Sequence, residues 1–153
     1  MTISSTANRK SFAGSGTSGP FSFPYPLLAQ SDLVVLLVDD ATGDESVLVL
    51  DGDYTLAGTA DTVGRYTAGV SITTTDVLAS GSTLVAYGDP PLSQETDLVE
   101  NDPLPAEQVE LGFDKLTLIA RRLDDQIGRS LHMSDGTPST VVTELPTPEG
   151  GSA

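Results

Sequence analysis

The chain has 153 residues, contains no cysteine and carries a formal net charge of −15 at pH 7. This length suffices for one domain with its own core, and the lack of cysteine excludes disulfides, thiolate metal sites and cysteine nucleophiles. The excess of carboxylates argues against binding to nucleic acid or to an anionic membrane surface, because both partners require clustered Lys and Arg.

The N-terminal twenty residues are polar and rich in Ser, Thr and Gly. We expect residues 1–20 to form a flexible arm, and the absence of an apolar leader predicts synthesis in the cytoplasm. The sequence "GSGTSG" (residues 14–19) fits the spacing of a dinucleotide-binding loop. That loop requires a preceding strand and a following helix, and neither is predicted here, so a linker is the better interpretation.

Residues 21–91 read as short strands separated by turns, which is typical of a small β-sandwich. The segment "FSFPYP" predicts an extended edge strand because its Pro residues cannot join a central ladder. Residues 32–39 predict a buried strand of less than membrane-spanning length. The other strands are expected at residues 47–50, after the turn at 51–53, and around residues 65–67, 70–73 and 83–87.

A connector and a helix are predicted over residues 92–133, followed by an extended tail over residues 134–153. The helix begins near Pro103 or Pro105, with Asp102 as its cap, and ends near Gly128. Its apolar residues recur with the 4-3-4-3-4 spacing of a coiled-coil seam. We therefore expect an interface between copies of the chain, formed by Val109, Phe113, Leu116, Ala120, Leu123 and Ile127, and the spacing leaves the number of copies open.

A second apolar set lies beside this seam, at Leu111, Leu118 and Ile119. An amphipathic helix that packs only on its own sheet also shows an apolar stripe, so the seam alone leaves both arrangements open. Two apolar flanks are more than one sheet face requires. They favour a helix that meets its own sheet on one flank and a symmetry mate on the other.

Candidate chemistry elsewhere has simpler explanations. The carboxylates at residues 39–45 and 51–53 lack the spacing of a calcium loop, and we interpret both segments as turns. His132 has no second ligand at a suggestive spacing. Asp124 and Asp125 are expected to pair with arginines one helical turn away. No nucleophile with a base and an orienting group is visible, so neither an enzyme, a cofactor nor a metal is predicted.

Several segments occur in an order that resembles a known family. They are "NRKSF", "FSFPYPLLAQSDLVVLLVD", "VLDGDYTLAG" and "STLVAYGDPPLSQETDLVENDPLPAEQVELGFDKLTLIARRLDD". Over residues 8–131 this set resembles the N-terminal virion-attachment domain of tail fibres, and related fibre adaptors, of short-tailed bacteriophages. The resemblance implies a β-sandwich followed by a helix, assembled as a homotrimer in the virion and bound to tail tube, adaptor or nozzle proteins.

With this family in mind, we take two sets of residues as candidates for docking on the tail. They are the aromatic residues Phe21, Phe23 and Tyr25, and the helical residues Arg121 and Arg122. Because no shaft or receptor-binding tip is visible after the helix, we expect an attachment piece that binds a separate fibre or tailspike. The competing hypotheses are a non-viral acidic binding module and, less well supported, a glycan hydrolase with paired carboxylates.

Overall fold

The computed structural model describes residue 3, residues 5–93 and residues 106–130. These residues form seven strands and one long helix. The strands are β1 (Arg9–Ala13), β2 (Phe21–Phe23), β3 (Leu33–Asp39), β4 (Glu45–Val47), β5 (Tyr54–Ala57), β6 (Val70–Thr74) and β7 (Ser82–Gly88), and the helix is α1 (Ala106–Gly128). A single 3-10 turn, Gln30–Asp32, precedes β3.

The strands form two antiparallel sheets that pack face to face, as a β-sandwich does. The four-stranded sheet has the order β1-β7-β3-β4, and the three-stranded sheet has the order β2-β6-β5. Long registers hold the centre of the larger sheet, where seven residue pairs join β3 to β7. The predicted mainly β fold with a C-terminal helix is therefore confirmed, and β2 is an edge strand as the prolines predicted.

Alternating side chains of both sheets meet in one core. In β3 the inward residues are Leu33 and Val35, and in β7 they are Leu84 and Ala86. The opposite sheet contributes Phe23, Val70, Ile72 and Tyr54, and the Tyr54 hydroxyl donates a hydrogen bond to the carbonyl of Leu33 at 3.3 Å. Because each fully buried side chain contributes about 1.5–3 kcal/mol, this cluster is the main source of stability.

The N-terminal segment differs from the predicted flexible arm. Arg9–Ala13 form β1 and pair with β7 over five residues. The linker that follows is also fixed, because the amides of Gly14 and Gly16 donate to the carbonyls of Ser82 and Leu78. The polar composition misled the prediction, since an edge strand can expose Ser11 and Ala13 to solvent while Phe12 packs against the core.

The expected strand at residues 65–67 is also absent from the described structure. Tyr66 makes one isolated bridge with Leu27, while Arg65 closes a turn by hydrogen bonds to Asp61. The two acidic segments are turns, as predicted. The amide of Gly43 donates to the carbonyl of Asp39 in the first, and Asp51 adopts a φ of 63° in the second.

The helix contacts the sandwich at one end, which we call the helix end. Its partners there are Arg9 at the start of β1, Tyr25 after β2, Arg65 before β6, and Tyr87 and Asp89 at the end of β7. The helix type and its predicted end near Gly128 are confirmed. The proposed cap Asp102, His132 and the tail at residues 134–153 lie outside the described residues.

Candidate interaction surface

Ion pairs fasten the helix to the sandwich. Arg65 Nη1 lies 3.6 Å from Asp114 Oδ2, and Arg122 Nε lies 3.1 Å from Asp89 Oδ1. Arg9 Nε lies 3.5 Å from Asp125 Oδ1. These contacts join both sheets to the helix, so the helix spans the end of the sandwich rather than lying on one sheet.

The ring of Tyr87 adds a further contact between the sandwich and the helix. The guanidinium carbons of Arg9 and Arg122 lie 4.9 and 4.2 Å from the ring centroid. Both distances suit a cation–π interaction. Asp125 also accepts hydrogen bonds from Arg122 and Arg129 at 3.2 and 2.9 Å, which confirms the predicted pairing of this residue with arginines one turn away.

Asp61 and Arg65 position the guanidinium that reaches the helix. Asp61 accepts hydrogen bonds from Arg65 Nε at 2.7 Å and from the backbone amides of Arg65 and Val63 at 2.8 and 3.0 Å. Burial acts to raise the pKa of Asp61, but these hydrogen bonds and the charge of Arg65 outweigh burial and lower the pKa below its ordinary value.

The lowered pKa of Asp61 predicts sensitivity to acid. Because the pKa is lower in the folded state, the carboxylate stabilises the fold at neutral pH, and this contribution is lost as the pH falls below 3.8 and passes the folded-state value. We expect Asp61→Asn to lower the urea midpoint at pH 7 and to differ less from the wild type at pH 3. Asp40→Asn, which removes no ion pair, is the control. If the difference in urea midpoint between Asp61→Asn and the wild type grew as the pH fell, the lowered pKa of Asp61 would be contradicted.

Arg121 is buried at the same interface. Its Nε, Nη1 and Nη2 atoms have no hydrogen-bond partner among the described residues, and its guanidinium carbon lies 5.9 Å from the ring centroid of Tyr25. Burial lowers the pKa of Arg121. A guanidinium removed from water without a carboxylate costs free energy, so Arg121 does not help to hold the helix in place as Arg65 and Arg122 do.

Replacing Arg121 by Met should therefore stabilise the isolated chain. We expect the free energy of unfolding in urea to rise by about 1–3 kcal/mol, since that is the cost of a buried unsatisfied polar group. Arg122→Met is the matched variant. It should lower the free energy of unfolding, because Arg122 pairs with Asp89 and Asp125. Equal losses in both variants would show that Arg121 has a stabilising partner.

The apolar seam lies on the opposite face of the helix and is open to solvent. With 3.6 residues per turn, Asp114, Leu118, Arg121 and Asp125 face the sandwich, and the seam faces away from it. The exposed fractions in the seam are 66% for Phe113, 65% for Leu116, 48% for Leu123 and 58% for Ile127. Ala120 is also exposed, and Val109 is half-buried.

The charged face of the helix is therefore docked, and its apolar face is free. This is the reverse of an amphipathic helix that packs on its own sheet. The second apolar set does contribute to the docked side: Leu118 is buried, and Leu111 and Ile119 are half-buried. Thus the prediction that one flank meets the chain's own sandwich is confirmed for Leu118, while the structure of the single chain leaves the seam without a covering partner among its described residues.

The candidate docking residues do not form one exposed surface. Phe23 is fully buried in the core, and Arg121 is buried between the helix and the sandwich, so neither side chain is exposed on the single chain, and their docking role stays a prediction. Phe21 and Tyr25 are half-buried; their rings lie 5.2 Å from those of Phe12 and Phe23, respectively. Arg122 is half-buried and committed to Asp89. The alternation of aromatic residues is visible in the sequence, but the sequence does not show that this side of β2 faces the opposite sheet.

Over residues 5–93 and 106–130, no group of three His, Cys, Asp or Glu side chains is arranged to hold a metal ion. Within the same ranges, no helix is long and apolar enough to cross a membrane. In this part of the chain, the exposed seam is a feature that suits an interaction.

The sequence matches no established family profile. It is 32% identical, over 131 residues, to the tail spike protein of Salmonella phage epsilon15. The similarity supports a phage tail protein. The aligned region covers 86% of this chain but 12% of the relative, so the chain corresponds in length to a small part of that protein.

Proposed function

We propose that this chain is a trimeric attachment domain of a phage tail fibre or tail spike. In this proposal it binds to tail tube or portal-proximal proteins of the virion and carries or forms a short fibre for host adsorption. Its role is structural rather than catalytic. The similarity to a phage tail spike protein supports a structural role in a phage tail. The exposed seam on α1 supports assembly from several copies.

The observation that carries the proposal is the orientation of the helix, whose apolar seam faces solvent rather than the sandwich. Four large apolar side chains of the seam are about half exposed or more, although the helix already has a docked face. Contiguous exposed apolar side chains on a soluble domain mark an interaction site. A heptad spacing suits association of parallel copies of the same helix, and cyclic symmetry lets one seam serve all copies.

The proposal is tested by the mass of the purified protein and by its binding to other virion proteins. Light scattering after size exclusion should give three times the chain mass of 15.9 kDa. Pull-down on the trimer should recover a tail tube, adaptor or nozzle protein. A trimer that recovers no tail protein even at low salt would overturn the attachment role, and a monomer at all concentrations would overturn the trimer.

A further inference from the structure

The end of the sandwich farthest from the helix contains an apolar cleft. It opens between the two sheets where β3 and β6 end and where β7 begins. The cleft has a volume of about 140 Å³, and its apolar lining includes Leu37, Leu48, Leu78 and Leu84. Leu84 and Leu78 are buried members of the core, so the cleft reaches from the surface to the interior. An apolar cavity of about 150 Å³ is large enough for a benzene ring.

An exposed valine lies at this opening. Val77 lines the cleft and is 63% exposed. Isolated exposed apolar residues are ordinary. Val77, however, adjoins an apolar cleft that can accept one side chain, which is the arrangement of an anchor pocket in a protein interface.

Carboxylates surround the same opening. Asp53 and Asp76 line the cleft. The turn that contains Asp39, Asp40 and Asp44 lies beside it, because the amide of Asp40 donates to the carbonyl of Gly81, next to the cleft residue Ser82. None of these carboxylates has an ion-pair partner among the described residues.

The basic residues lie elsewhere. All seven Lys and Arg residues of the chain are described, and they occupy β1, the turn before β6, and the helix with the residue that follows it. The carboxylates around the cleft are therefore not neutralised by any Lys or Arg of the chain. Opposite charge on a partner would speed its approach and select it, and this end faces away from the seam, so assembly through the seam leaves it open.

We propose that this cleft end of the sandwich binds a basic segment of another protein. One branched or aromatic side chain of that segment enters the cleft, and flanking Arg or Lys residues pair with Asp76 and Asp40. This inference goes beyond the proposed function, because it assigns a second interaction surface and does not depend on the trimer.

The test uses a short synthetic peptide with one central Leu flanked on both sides by Arg residues. Added to the isotope-labelled full chain, it should shift the amide resonances of Val77, Ala79 and Ser82 in NMR spectra. A control peptide with Gly in place of Leu should bind at least about fivefold more weakly, since it lacks the anchor that fills a pocket. Equal binding of both peptides would show charge attraction alone and would overturn the proposal.

Variants of the chain distinguish binding at the cleft from non-specific attraction of a basic peptide to an acidic protein. Asp40→Asn together with Asp76→Asn should weaken peptide binding about tenfold, and Ala79→Leu, which fills the cleft from its wall, should abolish the shifts. Asp124→Asn, on the exposed helix, is the charge control and should bind as the wild type does. Shifts that centre on the helix, or variants that bind unchanged, would overturn the proposal. Light scattering on the same samples reports the trimer separately.

Discussion

Replacing Leu116 by Asp should convert the proposed trimer into a folded monomer of 15.9 kDa. Leu116 is 65% exposed in the single chain, so the substitution leaves the sandwich and the docked face of the helix intact. In the trimer each Leu116 contributes about 1.5–3 kcal/mol through burial, and three unpaired carboxylates in the seam add a desolvation cost. Light scattering over a range of concentrations measures the change in mass.

The control for this variant is Gln108→Asp. Gln108 is exposed on the same helix, but it lies about 100° from the centre of the seam at 3.6 residues per turn. We expect it to remain trimeric. Dissociation of both variants would indicate that charge, rather than the seam, controls assembly. A trimer that survives Leu116→Asp would place the interface elsewhere on the chain.

Replacing Phe23 by Ala should bring the domain close to unfolding. Phe23 is fully buried and pairs with Val70 across β2 and β6. Its truncation removes the side chain and leaves a cavity, which costs about 3–5 kcal/mol, whereas whole domains are stable by only about 5–15 kcal/mol. The free energy of unfolding in urea is the measurement.

Phe21→Ala provides the comparison, because the same atoms are removed two residues earlier. Phe21 is half-buried and packs on Phe12 at the margin of the core, so its loss should cost clearly less. If Phe23→Ala left stability unchanged and reduced binding to tail proteins, Phe23 would act in docking as first expected, and its position in the core would be wrong.

The sequence predicts those elements whose pattern is local. The apolar run of β3, the turn residues around Gly43 and Gly52, and the heptad spacing of α1 each indicate their structure without reference to the rest of the chain. By contrast, β1 is stabilised by pairing with β7, and its own residues carry only a weak strand signal. Its position in the sheet depends on a partner that lies far along the sequence.

The contacts between the helix and the sandwich could not be predicted from local sequence patterns either. The pairs Arg65–Asp114 and Arg9–Asp125 join residues that are distant in sequence, and nothing in the local pattern around Asp114 indicates that it faces a guanidinium. The apolar spacing therefore predicted the stripe of residues on the exposed face of the helix. The charged face that contacts the sandwich could be identified only from the three-dimensional structure. The cleft end is also formed by turns that only the topology brings together.

The pairing of β1 with β7 has a consequence for biosynthesis. The larger sheet combines the first and last strands of the sandwich, so it cannot be completed on the ribosome until β7 has been translated. Folds with such distant pairings form slowly, in milliseconds to seconds, whereas a helix forms in about a microsecond from neighbouring residues. The helix is the next element after β7, so the apolar seam is synthesised only after every strand of the sandwich, and nascent chains can associate through it only once the larger sheet has all of its strands.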